Sequence, residues 1–156
     1  MNSTKLISTL FKPRQAATAL YAIQAEAIQA KVFKRLIKDA ANTEWGLEYS
    51  YKDIKSYQDY QRVPLQTYEE IKPYVERMRR GEKNVLWPGE VIWFAKSSGT
   101  TNDKSKFIPV SKEGLHDIHY AGGMDAVALY LQQNPDSRFF SGKGLILGGS
   151  HASNYN

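Results

Sequence analysis

Phe94-Ala95-Lys96-Ser97-Ser98-Gly99-Thr100-Thr101-Asn102-Asp103-Lys104-Ser105-Lys106-Phe107-Ile108-Pro109-Val110 decides how this chain is read. Val91 to Ala95 is a short apolar, β-favouring run and predicts a buried strand, and Phe107 to Val110 predicts a second. The turn between them is dense in small and hydroxylated residues. Gly99 can adopt backbone conformations closed to other residues, which lets neighbouring N–H groups converge. Ser97, Ser98, Thr100 and Thr101 add hydroxyls that both donate and accept. Lys106, with Lys104 beside it, brings positive charge. These are the ingredients of a phosphate cradle. The stretch is not the common P-loop, because it lacks the spaced glycines and the Gly-Lys-Ser/Thr ending. A solvated linker has a similar composition, and residue types alone leave both readings open.

Downstream, Ser111 is a suitable cap for a helix that runs to about Gln133 and is stopped by Asn134-Pro135. Gly122-Gly123 inside it costs about 1 kcal/mol per glycine relative to alanine, so a close approach of another element is expected there. Gly144-Leu145-Ile146-Leu147-Gly148-Gly149 reads as a further buried strand. Strand–helix–strand order with continuous apolar strands predicts a parallel or mixed sheet.

Upstream, the first ninety residues read as mainly helical. Pro13 to Ala41 carries apolar residues at spacings of three and four, with Pro13 at the first helical position, and predicts one long helix of about 42 Å. Asn42 to Leu65 reads as short helices and turns, with Ser56 a cap; its tyrosines suit half-buried packing better than a base-stacking platform. Thr67-Tyr68-Glu69-Glu70 matches a capping box. Pro73 predicts a break, followed by a restarted helix that stops at Gly81.

The composition excludes several classes. The chain has 156 residues, 42% of them hydrophobic, which suits one α/β domain with a real core. No apolar run approaches the roughly 20 residues that cross a bilayer. The N-terminus lacks the pattern of a secretory signal, so a cytoplasmic protein is expected. With zero cysteines there is no disulfide, thiolate metal site or cysteine nucleophile. The net charge of +5 comes from lysines and arginines interleaved with acids, the pattern of solvated helix faces. No nucleic acid or membrane partner is expected. His116 and His119 lie three apart on the predicted helix but have no evident third ligand, so no metal site is assigned. His151, with Ser150 and Ser153, lacks the orienting acid of a hydrolase.

Ser97-Ser98-Gly99-Thr100-Thr101, with Lys106 five residues after the second threonine, resembles the first ATP-binding motif of the auxin-responsive acyl acid amido synthetases. These ligases belong to the firefly-luciferase-like adenylate-forming superfamily. The flanking segments agree: Arg62-Val63-Pro64-Leu65, Tyr68-Glu69-Glu70-Ile71-Lys72-Pro73-Tyr74, Val85-Leu86-Trp87-Pro88-Gly89 and Lys106-Phe107-Ile108-Pro109-Val110. The resemblance implies ATP-dependent activation of a small carboxylic acid, with Mg²⁺, and transfer of the acyl group to an amine, typically that of an amino acid. Ser97, Ser98, Gly99, Thr100, Thr101 and Lys106 would then hold ATP phosphates. Asp103 stands where relatives often carry glycine, which puts an acid at the outer half of the loop. The resemblance further implies that residues 1–156 are an incomplete N-terminal domain, mainly helical to residue 90 and strand–loop–strand–helix–strand over 91–156. The remaining motifs would lie downstream, and this polypeptide alone is expected to be silent. The rival expectation is a non-catalytic interaction module with a basic, aromatic surface.

Overall fold

In the computed structural model, which describes residues 3–97 and 105–145, helices dominate. Contacts divide the chain into two compact units: Ala19–Gly123, and the described residues up to Thr18 together with those from Met124 onwards.

The larger unit is organised by α3 (Ala25–Ala40). The expected single helix from Pro13 to Ala41 is two: α2 (Lys12–Ile23) and α3, separated at Gln24, whose φ of −121° leaves the helical region. Burial explains why the apolar spacing did not reveal this break. α2 buries no residue, whereas α3 buries Ile37 and Ala40 near its C-terminus. Spacing alone does not distinguish a stripe that packs from one that stays wet.

Ile37, Ala40, Ala41, Tyr51 and Ile54 form the first core cluster, with Phe33, Trp45, Tyr49, Val63 and Trp87 against it. The tyrosine-rich segment supplies this packing as expected. Trp45 stacks obliquely on Tyr49 at 4.6 Å and meets Tyr74 edge-on at 5.4 Å, while Tyr60 meets Phe33 edge-on at 5.8 Å. The short helix α4 (Glu44–Glu48) is capped by Thr43, whose hydroxyl accepts from the Gly46 N–H at 3.0 Å and donates to the Ala40 carbonyl at 2.8 Å. Two further α4 donors are satisfied across the chain, Glu44 N–H by the Asn84 carbonyl at 2.8 Å and Trp45 N–H by that of Val85 at 3.1 Å. A single helical turn, α5 (Tyr57–Tyr60), begins at the expected cap Ser56, which exchanges hydrogen bonds with Asp59 in a full capping box.

α6 (Tyr68–Arg79) starts where expected, with the Glu70 carboxylate taking the Thr67 N–H at 2.6 Å. It is not broken at Pro73. Proline forfeits one backbone bond to the first turn, but the face carrying Val75 and Met78 is buried and holds the helix through. The helix ends at Arg80, and Gly81 follows at φ 88°. Met78, Val85 and Val91 form the second cluster, with Tyr74, Leu86, Trp87 and Phe94 packed on it. Trp87 borders both clusters and joins them into one core.

β1 (Trp93–Lys96) and β2 (Phe107–Val110) pair antiparallel, with Trp93 opposite Val110 and Lys96 opposite Phe107. The expected mixed or parallel sheet is therefore an antiparallel hairpin among the described residues. A short connection of this kind returns the chain directly, whereas a parallel pair needs a crossover of about a dozen residues or more. The strand expected at 144–149 falls mostly outside the described residues, and Gly144 and Leu145 are irregular and exposed. Ser111 caps the next helix through its Oγ, which accepts the Gly114 N–H at 3.0 Å. That helix opens with a wide π-helical stretch (Gly114–Tyr120) before α7 (Ala121–Gln133). Nothing lies within 4 Å of where a Cβ would stand on Gly122 or Gly123, so the close approach expected there is absent among the described residues.

In the smaller unit, α1 (Ser3–Leu10) was not foreseen. It is tied down by Thr4, a buried hydroxyl that accepts from the Phe140 N–H at 3.1 Å, and by stacking of Phe11 on Phe140 at 6.3 Å. Arg14 donates from Nε to Asp125 at 2.7 Å, and Ala128 and Leu131 are buried on α7. Among the described residues, no helix is long and apolar enough to cross a membrane.

Candidate functional site

The hairpin β1–β2 positions the candidate site, because the Ser/Gly/Thr stretch lies in sequence between its two strands. Ser98, Gly99, Thr100 and Thr101, with Asp103 and Lys104, lie outside the described residues. Ser97 and Lys106, the two ends of the turn, are described, and the strands bring them face to face. The Ser97 N–H donates to the Lys106 carbonyl at 2.9 Å, and the Lys106 N–H donates to Ser97 Oγ at 2.9 Å. The first residue of the predicted cradle is therefore also the bolt that closes its base. That bond uses a lone pair of the Ser97 oxygen, so its own O–H hydrogen is not consumed by it.

Lys106 is exposed, and its Nζ lies 5.3 Å from the ring centre of Tyr68. The Tyr68 hydroxyl accepts from the Phe107 N–H at 2.9 Å and lies 3.3 Å from the Phe107 carbonyl as donor. In an antiparallel ladder, residues alternate between pointing their backbone groups at the partner strand and away from it. Ser97 and Lys106 face one another, so Phe107 presents its N–H and C=O to the free edge, where Tyr68 receives both.

Two more cations gather at this end of the hairpin. The Arg79 guanidinium lies 3.6 Å from the centre of the Phe107 ring, and Lys96 Nζ lies 6.0 Å from the same ring. Arg79 is also paired with Glu76 at 3.0 Å. Arg79 of α6, Lys96 of β1 and Lys106 just before β2 thus gather at this end of the hairpin, a setting that favours an anionic ligand. Sequence reasoning found Ser97 and Lys106 but passed over Tyr68, Lys96 and Arg79. Tyr68 was legible as the second residue of a capping box and as part of a flanking segment of the resemblance, but its reach from α6 to β2 depends on tertiary packing.

Next to β2 is a cavity of about 560 Å³ with apolar walls, including Met78, Leu86, Trp87, Val91, Pro109 and Val110. Arg35 and Asp117 pair at its edge at 3.2 Å. Trp87 Nε1 donates to Glu113 at 3.1 Å. The Glu113 carboxyl is held below the usual carboxylate range, first by a bond from its own backbone N–H and then by the indole. His116 and His119 each lie against the Tyr120 ring, at 5.7 and 5.3 Å. Among the described residues, no three His, Cys, Asp or Glu side chains converge on a point. Mg²⁺ takes one or two carboxylates together with substrate phosphates. The described residues thus offer it no protein-built cage.

Residues 19–155 match the GH3 family N-terminal domain, and the chain belongs to that family. Among its relatives is a putative indole-3-acetic acid-amido synthetase GH3.10 of Oryza sativa subsp. japonica, 30% identical over 90 residues, which are 54% of this chain and 18% of that protein. The jasmonoyl–L-amino acid synthetase JAR6 of Nicotiana attenuata is 31% identical over 91 residues, 55% of this chain and 15% of the relative. The indole-3-acetic acid-amido synthetase GH3.2 of Arabidopsis thaliana is 26% identical over 110 residues, 68% of this chain and 20% of the relative. The chain therefore spans about a fifth or less of the curated relatives it matches.

Proposed function

We propose that the chain is the N-terminal part of an ATP-dependent acyl acid amido synthetase, and that the turn between β1 and β2 holds the phosphates of ATP. The observation that carries this reading is the closed base of the hairpin. Ser97 and Lys106 are locked to one another, and Lys106, Lys96 and Arg79 gather positive charge at that end of the hairpin.

The reaction joins the carboxylate of a small acid to the α-phosphorus of ATP with loss of pyrophosphate, then passes the acyl group to an amine, as in the amino acid conjugates that the relatives' names describe. The part of this chain is to bind and orient. Ser97 and the hydroxyls of Ser98, Thr100 and Thr101 donate to phosphate oxygens, Gly99 lets backbone N–H groups face them, and Lys106 offsets their charge. Holding the triphosphate in one geometry lowers the entropic part of the barrier, and fixed positive charge favours the departing pyrophosphate. On this reading the residues that take the acid and the amine belong to other parts of the larger enzyme. The polypeptide on its own is proposed to be catalytically silent and to act within the cytoplasm as part of the larger enzyme.

The test is ATP–pyrophosphate exchange driven by a panel of small carboxylic acids, using the full-length protein and its Thr101→Ala and Lys106→Ala variants. Exchange should depend on the acid and fall at least tenfold in each variant, the loss expected for a charge-assisted bond to phosphate. Equal exchange in all three proteins would remove the phosphate assignment, and exchange by the 156-residue chain alone would remove its proposed silence.

A further inference from the structure

We infer that Tyr68 is the positioning residue for Lys106, an inference that rests on the reading of Lys106 as a ligand of ATP phosphate. Tyr68 stands in the first turn of α6, and it reaches β2 in two ways at once. Its hydroxyl accepts the Phe107 N–H at 2.9 Å and donates to the Phe107 carbonyl at 3.3 Å. Its ring lies under the ammonium group of Lys106, 5.3 Å away.

The two contacts divide the task. The hydroxyl fixes the backbone just after Lys106 by filling the two outward-facing groups of an edge strand, where a further strand would otherwise bond. From the other side, Ser97 fixes the Lys106 backbone through both its N–H and its carbonyl. Lys106 is thus held at its own peptide groups and at the next residue. The ring then restricts where its long, flexible side chain spends its time. A long lysine stem has rotamer entropy to lose on ordering, and an ammonium group over an aromatic face is attracted by the ring quadrupole. Prepaying part of that ordering before the ligand arrives raises affinity without any contact between Tyr68 and the ligand.

The anchor of Tyr68 is itself well founded. α6 opens at Thr67 with the Glu70 carboxylate on the Thr67 N–H, and it buries Val75 and Met78 further along. The cap thus fixes the start of the helix from which Tyr68 projects. This gives the capping box of Thr67 and Glu70 a consequence at the site: it sets the height at which the ring meets Lys106.

The test is calorimetric titration of ATP into the full-length protein for wild type, Tyr68→Phe, Tyr68→Leu, Lys106→Ala and the double variant Tyr68→Leu/Lys106→Ala. Lys106→Ala should weaken ATP binding by about tenfold or more. Tyr68→Phe keeps the ring and should lose about three- to fivefold, and Tyr68→Leu should approach the loss in Lys106→Ala. The double variant should bind no more weakly than Lys106→Ala alone, because Tyr68 acts through Lys106 and the two losses do not add. If they do add, Tyr68 has a separate structural role and the inference is overturned. If Lys106→Ala is weak and Tyr68→Leu binds like wild type, the inference alone falls. If Lys106→Ala binds like wild type, the phosphate reading falls and takes the inference with it. Should Tyr68→Leu fail to fold, Tyr68→Phe combined with Lys106→Ala completes the same cycle. In the free protein, the Lys106 ε-methylene protons should be shifted upfield by the ring in wild type and Tyr68→Phe. Unshifted protons in both would also overturn the inference.

Discussion

Gly46→Ala sets helix propensity and tertiary packing against each other, and the structure decides between them. Gly46 is buried in α4, and propensity alone credits alanine there with about 1 kcal/mol. A Cβ on Gly46 would run into the Ala40 carbonyl oxygen and come within 2.9 Å of the Ala40 carbonyl carbon and 3.1 Å of that of Ala41. These are backbone atoms at the end of α3 and have no rotamer to escape into. Comfortable contacts are roughly 3.5 Å or longer, so α4 must retreat by about 1.5 Å to clear the Ala40 oxygen. The retreat strains the bonds that seat α4, from Thr43 to Gly46 and Ala40 and from Glu44 and Trp45 to the carbonyls of Asn84 and Val85. Weakening these four bonds at about 1 kcal/mol each, plus overpacking of about 1–3 kcal/mol, outweighs the propensity gain of about 1 kcal/mol and leaves a net loss of about 4–6 kcal/mol. For a chain of this size that is a fall in Tm of about 8–24 °C. Urea denaturation and thermal melting read both quantities. A Gly46→Ala variant as stable as wild type, or more so, would refute the close approach of α3 and α4.

Other outcomes follow from the same contacts. Thr43→Val keeps the volume of a fully buried side chain but removes the cap of α4, and the loss should be about 1–2 kcal/mol by urea denaturation. Glu44 and Glu82 both have carboxyls held below their ordinary value of 4.5, chiefly by hydrogen bonds from Arg77. Folded values below the unfolded ones mean that this stability is present above the ordinary range and is lost as pH falls through the folded values. The urea midpoint of wild type should therefore exceed that of Arg77→Gln near neutrality, and the gap should close on acidification; a gap independent of pH would contradict the pairing.

Much of the scaffold was legible where a local rule governs. Ser56, Thr67 and Ser111 were found as helix starts because a side-chain oxygen within three residues is all a cap requires, and Gly81 as a stop because it takes a positive φ. The break at Gln24 was not legible, since neither proline nor glycine marks it and the apolar spacing runs through. Pro73 misled in the opposite direction: burial of Val75 and Met78 outweighs one missing bond. At the site, hydroxyls and lysines are recognisable by residue type, so Ser97 and Lys106 were found. Tyr68 and Arg79 reach the hairpin from α6 only after folding, so no spacing could announce them.

The central claim, that this turn recognises phosphate, is tested most directly by the ratio of ATP to AMP affinity in the full-length protein with and without Lys106→Ala. ATP should bind at least tenfold more tightly than AMP in wild type, and Lys106→Ala should remove most of that preference while leaving AMP affinity unchanged. An identical ratio in the two proteins, or equal loss of ATP and AMP binding, would contradict it.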